Sequence, residues 1–171
     1  IYRVCSGVKG MPVKKQKKYR KELKSKGKIN LVDEHKNIKR QNIILNEVKN
    51  LKKLGFDKII LSGYSAGGWS SLFLQSRFPE KIIGTIAFNP AFAGPKKEWQ
   101  KKYPEWGAFR EDSVNKFNKA NTINAIIFAH KDDIFEDPKT LSFFENFKNL
   151  SLIDYSELKP TKCNWACLLY T

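Results

Sequence analysis

Residues 58–92 read KIILSGYSAGGWSSLFLQSRFPEKIIGTIAFNPAF. The apolar run Ile59-Ile60-Leu61 leads into Gly63-Tyr64-Ser65-Ala66-Gly67, and a segment of helical character follows until Pro79. A second apolar run at 82–88 ends on Asn89-Pro90. Buried strand, tight turn at 63–68, helix at 69–78 and buried strand again is the repeating unit of a mostly parallel sheet covered by helices on both faces. The turn has a chemical logic. A nucleophilic hydroxyl must stand clear of the backbone at the carboxyl end of a strand while the chain turns sharply into a helix. That turn strains the serine, and the residues two before and two after it must be small, a need that Gly63 and Gly67 meet. The helix then begins beneath Ser65, where its dipole favours developing negative charge. The N–H of Ala66 is the expected oxyanion donor, with Tyr64 bordering the site. The competing reading is a Gly-rich turn for phosphate, but this turn lacks the Lys of a P-loop and the spacing of a dinucleotide fingerprint.

Outward from this unit the alternation continues. Residues 37–54 predict an amphipathic helix with Ile38, Ile44, Leu45, Val48, Leu51 and Leu54 near one stripe, stopped by Gly55. Residues 125–129 predict a third buried strand, 130–137 a polar loop, 138–150 a helix with Pro138 in its first turn, and 151–155 a last short strand. Upstream, 1–5 and 29–32 predict short strands. The stretch 14–28, with nine Lys or Arg against Glu22 alone, predicts a solvated helix. Residues 91–122 carry Trp99, Tyr103, Trp106 and Phe109 without clear periodicity. They form either part of a substrate-facing cap or an excursion whose aromatics pack on the body. The whole of 1–171 reads as one domain without internal repeats.

Residues 58–92 resemble the central segment of α/β-hydrolases, and the likeness extends over about 37–155. The closest flavour is the broad set of esterases and dienelactone-hydrolase-like proteins. The resemblance implies a three-layer αβα fold, incomplete here at one or both ends. It implies hydrolysis of an ester or related acyl substrate, with Ser65 as nucleophile and no cofactor. It also implies an acid on the loop after the third strand of this segment and a His after the last one. The loop runs His130-Lys131-Asp132-Asp133; Asp133 is the first choice for the acid and Asp132 the near alternative, in the chain order Ser then Asp.

The His breaks the pattern. The chain has two, His35 and His130, and none follows 155. Without a base a Ser hydroxyl is a poor nucleophile. Three explanations compete: a chain that stops or loses frame before the His, which the atypical tail 156–171 fits; substitution by His130 or His35; or a non-catalytic relative that binds a ligand or an anionic partner through the basic N-terminal region. The second oxyanion donor is equally unplaced; the loop 6–10 supplies it only if 1–5 is the early strand that precedes that loop in the family.

Composition sets the remaining bounds. The net charge is +15, yet only five of the basic residues are Arg: Arg3, Arg20, Arg40, Arg77 and Arg110. Lys, Asn and Ile rising together reflect coding bias more than phosphate or base recognition, which argues against a nucleic-acid partner. Cys163 and Cys167 form a lone C-x3-C, too little for a metal site. No apolar run reaches the roughly 20 residues of a membrane-spanning helix. Compartment and oligomeric state leave no mark in the sequence.

Overall fold

The computed structural model describes residues 30–91 and 106–158, with side chains placed from 38 onward except at 106, 108 and 109. The elements are α1 (Asn30–Lys53), β1 (Ile60–Tyr64), α2 (Ala66–Arg77), β2 (Gly84–Phe88), α3 (Trp106–Asn118), β3 (Ala125–Ala129), a 3-10 turn (Ser142–Asn146) and β4 (Leu150–Asp154). The four strands form one parallel sheet in the order β1-β2-β3-β4. The expected strand at 1–5, the basic helix at 14–28, the loop at 6–10 and the tail beyond 158 lie outside the described residues.

Register explains the core. Tyr64 pairs with Phe88, Phe88 with Phe128, and Ala129 with Asp154, so all four strands end at the same level. On one face Thr85, Ala87, Ala125, Ile127 and Ala129 are buried beneath helices. Trp69, Leu72 and Phe73 of α2, Phe117 of α3, Phe144 of the 3-10 turn and Leu141 just before it cover them. Phe117 makes edge-to-face contacts with Trp69 at 5.4 Å, Phe73 at 5.8 Å and Phe144 at 4.9 Å. These geometries add to simple burial of apolar area. A second cluster joins Ile44 and Val48 of α1 to Leu74 of α2, with Ile59 and Ile82 between them.

Several sequence expectations shift. Residues 30–32 are helical, not a strand: α1 begins at Asn30. Gly55, at φ 88°, ends the helix as expected. The run Ile59-Ile60-Leu61 is not uniformly buried: alternate residues face opposite sides of the sheet, and on the side of Ile60, Ile126 of the interior strand β3 is exposed as well. Ile59 is buried, Leu61 half-buried, and Ile60 is 58% exposed on the opposite face. Part of 91–122 is regular, namely α3. Its Ser113 and Phe117, four apart, turn one face inward. The residue that packs there is Phe117, while Trp99 and Tyr103 fall outside the described residues. The expected helix at 138–150 is instead a turn and the short 3-10 segment. The Asp137 carboxylate accepts the Thr140 N–H at 2.8 Å, and the Thr140 hydroxyl accepts the Asp137 N–H at 2.9 Å, closing a local turn that competes with an α-helix.

Phe117 joins α3 to the sheet's main cluster. Phe117→Ala is expected to lower unfolding free energy by about 3–5 kcal/mol in chemical denaturation; a loss below about 1 kcal/mol would contradict this packing.

Candidate functional site

β1 runs through Tyr64, and α2 starts at Ala66, so Ser65 alone makes the turn; the expected turn across 63–68 is tighter than its sequence suggests. Ser65 adopts φ 51° and ψ −126°. L-residues resist this backbone region because Cβ crowds the neighbouring peptide, at a cost of about 1–3 kcal/mol. The surrounding backbone holds it there. The Ser65 N–H donates to the Phe88 carbonyl at 3.0 Å, and the Ser65 carbonyl accepts from Trp69 N–H at 3.0 Å and Ala91 N–H at 3.2 Å. The Ser65 side chain makes no capping bond to α2. Tyr64 is 44% exposed beside it. Ala66 is half-buried, and its carbonyl accepts the Ser70 hydroxyl at 2.7 Å.

The glycine requirement differs from the sequence reading. A Cβ on Gly63 would meet the Gly67 carbonyl carbon at 2.5 Å, so Gly63 is obligatory. A Cβ on Gly67 would meet nothing within 4 Å. The second tight position is Gly68, whose Cβ would lie 2.9 Å from the Gly63 carbonyl oxygen and 3.3 Å from Pro90. The strand and helix therefore cross at Gly63 and Gly68, while Gly67 points to open space.

The carboxyl ends of the other strands bring polar residues to the same level. Asn89 follows β2 with φ 40°, between the two residues that bond the Ser65 backbone. It is buried, and its amide donates to the Tyr155 hydroxyl at 2.8 Å, bridging from β2 to β4 across the end of β3. Burial raises the Tyr155 phenol above its ordinary value, against the opposing Asn89 bond. His130 follows β3 and is also buried. Its ring lies 5.3 Å from that of Tyr155, and its Nδ1 accepts the Asp132 N–H at 3.1 Å. With β2 between them, Ser65 and His130 stand two strand spacings apart, about 10 Å. His130 is thus engaged with Tyr155 and its own loop. The side chain of His35, in α1, lies outside the described ones.

The two acid candidates separate. The Asp132 side chain is 76% exposed, 3.7 Å from His130 Nδ1. Asp133 is half-buried, and its Oδ1 accepts the N–H groups of Phe135 at 2.8 Å and Glu136 at 3.0 Å. Glu136, fully buried, receives Arg110 of α3 through Nε at 2.6 Å and Nη2 at 3.0 Å. Burial is the largest influence on Glu136 and pushes its carboxyl up, while Arg110 pulls it down. Sequence reasoning passed over Asn89, Tyr155, Gly68 and the Arg110–Glu136 pair. Only Arg110 left a signal, as one of five Arg in a Lys-rich chain. Among the described residues no cluster of His, Cys, Asp or Glu could hold a metal, and no helix is long and apolar enough to cross a membrane.

The glycine geometry yields a contrast. Gly67→Ala is expected to be neutral or stabilising by up to about 1 kcal/mol, as an ordinary helix substitution. Gly68→Ala is expected to cost about 1–3 kcal/mol through overpacking. Equal melting temperatures for the two variants would contradict the crossing at Gly68.

No family model matches the sequence, and no curated protein matches it. Among solved structures, the chain is similar to MGS-M2, an α/β hydrolase enzyme from a Medee basin deep-sea metagenome library. The identity is 14% and the TM-score 0.43, over 67% of this chain and 62% of that one. It is also similar to MGS-MChE2, an α/β hydrolase enzyme from the metagenome of sediments of the Mar Chica lagoon, Morocco. Here the identity is 19% and the TM-score 0.39, over 72% of this chain and 61% of that one. The chain thus spans about three fifths of the length of either enzyme.

Proposed function

We propose that this chain carries the site of a serine hydrolase acting on an ester or related acyl substrate. Ser65 is the nucleophile, the Ala66 N–H an oxyanion donor, Asp133 the acid, and Tyr64 part of the substrate wall. The observation that carries the reading is the Ser65 backbone, at φ 51° and ψ −126° between a parallel strand and a helix. A strained residue is maintained only where its surroundings over-determine it, and such residues concentrate at functional sites. Asp133 is preferred to Asp132 because two backbone N–H groups fix its carboxylate, whereas Asp132 faces solvent.

In the reaction, Ser65 Oγ loses its proton to a base and bonds to the substrate carbonyl carbon. The carbonyl π electrons move to oxygen, which the Ala66 N–H and the start of α2 stabilise. Collapse of this intermediate breaks the bond to the alkoxy group, which leaves as an alcohol on taking up a proton. Water then repeats the sequence on the acyl-enzyme and releases the carboxylic acid. The base is the element the described geometry does not supply, since His130 is engaged with Tyr155 and Asp132. Loss of a triad member leaves a residual catalysis of about 10³–10⁴-fold over water in such sites. Slow chemistry at Ser65 that an external imidazole accelerates is therefore the expected behaviour.

Incubation with a fluorophosphonate probe, with and without free imidazole, followed by peptide mass mapping, tests this. The expected result is an adduct at Ser65, absent from Ser65→Ala, whose rate rises with imidazole. A chain shown to be folded by a cooperative melt, yet unlabelled at Ser65 under both conditions, would overturn the reading.

A further inference from the structure

Glu136 is held at both ends. Its backbone N–H donates to Asp133 Oδ1 at 3.0 Å, and its carboxylate takes two bonds from Arg110, at 2.6 and 3.0 Å. Arg110 also donates from Nη2 to the Thr140 carbonyl at 2.6 Å, and its guanidinium carbon lies 5.7 Å from the centre of the Phe143 ring. The guanidinium is thereby fixed in its plane by a carboxylate, a carbonyl and an aromatic ring. A Lys, with one point charge on a flexible stem, cannot reproduce that arrangement.

We propose that Arg110 is a positioning residue for Asp133, acting through Glu136. This rests on reading Asp133 as the acid of the site. The physical case is one of direction. A buried ion pair is a weak source of net stability, because desolvating two charges offsets much of their attraction, and apolar side chains of similar volume often serve as well. A forked pair does, however, hold the Glu136 side chain against α3, which limits how far the Glu136 peptide can move. That peptide carries one of the two N–H groups on Asp133 Oδ1. The other belongs to Phe135, the preceding residue on the same short loop. The Asp133 N–H is tied back to the His130 carbonyl at 3.0 Å, so the loop is anchored at its strand end. Arg110 anchors its far end. The desolvation that raises the Glu136 carboxyl is consistent with a pair kept for geometry. It follows that α3, an element outside the sheet, sets the orientation of a carboxylate on the loop after β3.

The test uses the full chain with two variants. Arg110→Met combined with Glu136→Leu replaces the ion pair by apolar packing, and Arg110→Lys keeps the charge but not the fork. The readouts are hydrogen exchange at the Phe135 and Glu136 amides and the NMR chemical shift of the Asp133 side-chain carboxyl carbon at one fixed, neutral pH. The double variant is expected to melt cooperatively, with exchange at both amides at least about tenfold faster. Its Asp133 carboxyl carbon resonance is expected to move, since the carboxylate loses the hydrogen bonds of the two amides. Arg110→Lys is expected to move both readouts in the same direction by less, and it carries the test if the double variant does not fold. Folded variants in which exchange and the Asp133 carboxyl resonance match the parent chain would overturn the proposal. Neither readout depends on chemistry at Ser65, so failure of Ser65 to label removes the acid role of Asp133 without disturbing this measurement. An unmoved Asp133 removes the role of Arg110 while leaving Ser65 labelling intact.

Discussion

The structure depends on one backbone constraint: Ser65 must pass from β1 to α2 in a single residue at positive φ. Three hydrogen bonds to its own N–H and carbonyl, from three different stretches of chain, hold it. Because Phe88 and Ala91 supply two of them, the turn cannot form without β2 and the bend that follows. Because Trp69 supplies the third, the turn is also the first turn of α2, and Trp69 is buried in the main core. Strain at Ser65 is thus offset by the same contacts that dock helix on sheet. The close approach of Gly63 and Gly68 is the steric counterpart of that arrangement.

From there the parallel register does the rest. Strands ending at one level place Ser65, Asn89, His130 and Tyr155 in a row, each one residue past its strand. Side chains in that row satisfy one another across strands, as Asn89 and Tyr155 do. The satisfaction is incomplete. Among the described residues, Asn89 Oδ1 in the row, and Trp69 Nε1 and Gln75 Nε2 in α2, are buried and find no hydrogen-bond partner. The strained residue and one of these unsatisfied atoms share the carboxyl edge, where the proposed chemistry is placed.

Much of the frame was legible in the sequence. Residues 125–129 read as a strand because five apolar residues are bounded by polar loops, and that strand has those bounds. The stripe in 37–54 belongs to a real helix because Ile44 and Val48 do turn inward. What sequence could not weigh was competition from local side-chain bonds, which turned 138–150 away from a helix through Asp137 and Thr140. Nor could it see which of two adjacent glycines faces a carbonyl, since Gly67 and Gly68 differ only in direction. Asp133 was ranked ahead of Asp132 only narrowly, and their surroundings differ in a way the sequence does not show: two loop N–H groups bond Asp133, while Asp132 is exposed. Asn89, read as a strand terminator beside Pro90, is the bridge to Tyr155, a contact between residues 66 positions apart. Arg110 and Glu136 meet across 26 positions, beyond any periodicity.

The central claim is that the Ser65 turn is held in strain by the packing of β1, β2 and α2. Comparing Ser65→Gly with Ser65→Ala in chemical denaturation tests it most directly, because glycine adopts φ 51° and ψ −126° freely and alanine does not. The account predicts the glycine variant to be more stable than the alanine variant by about 1 kcal/mol or more. An alanine variant as stable as the glycine variant, or more so, would contradict it.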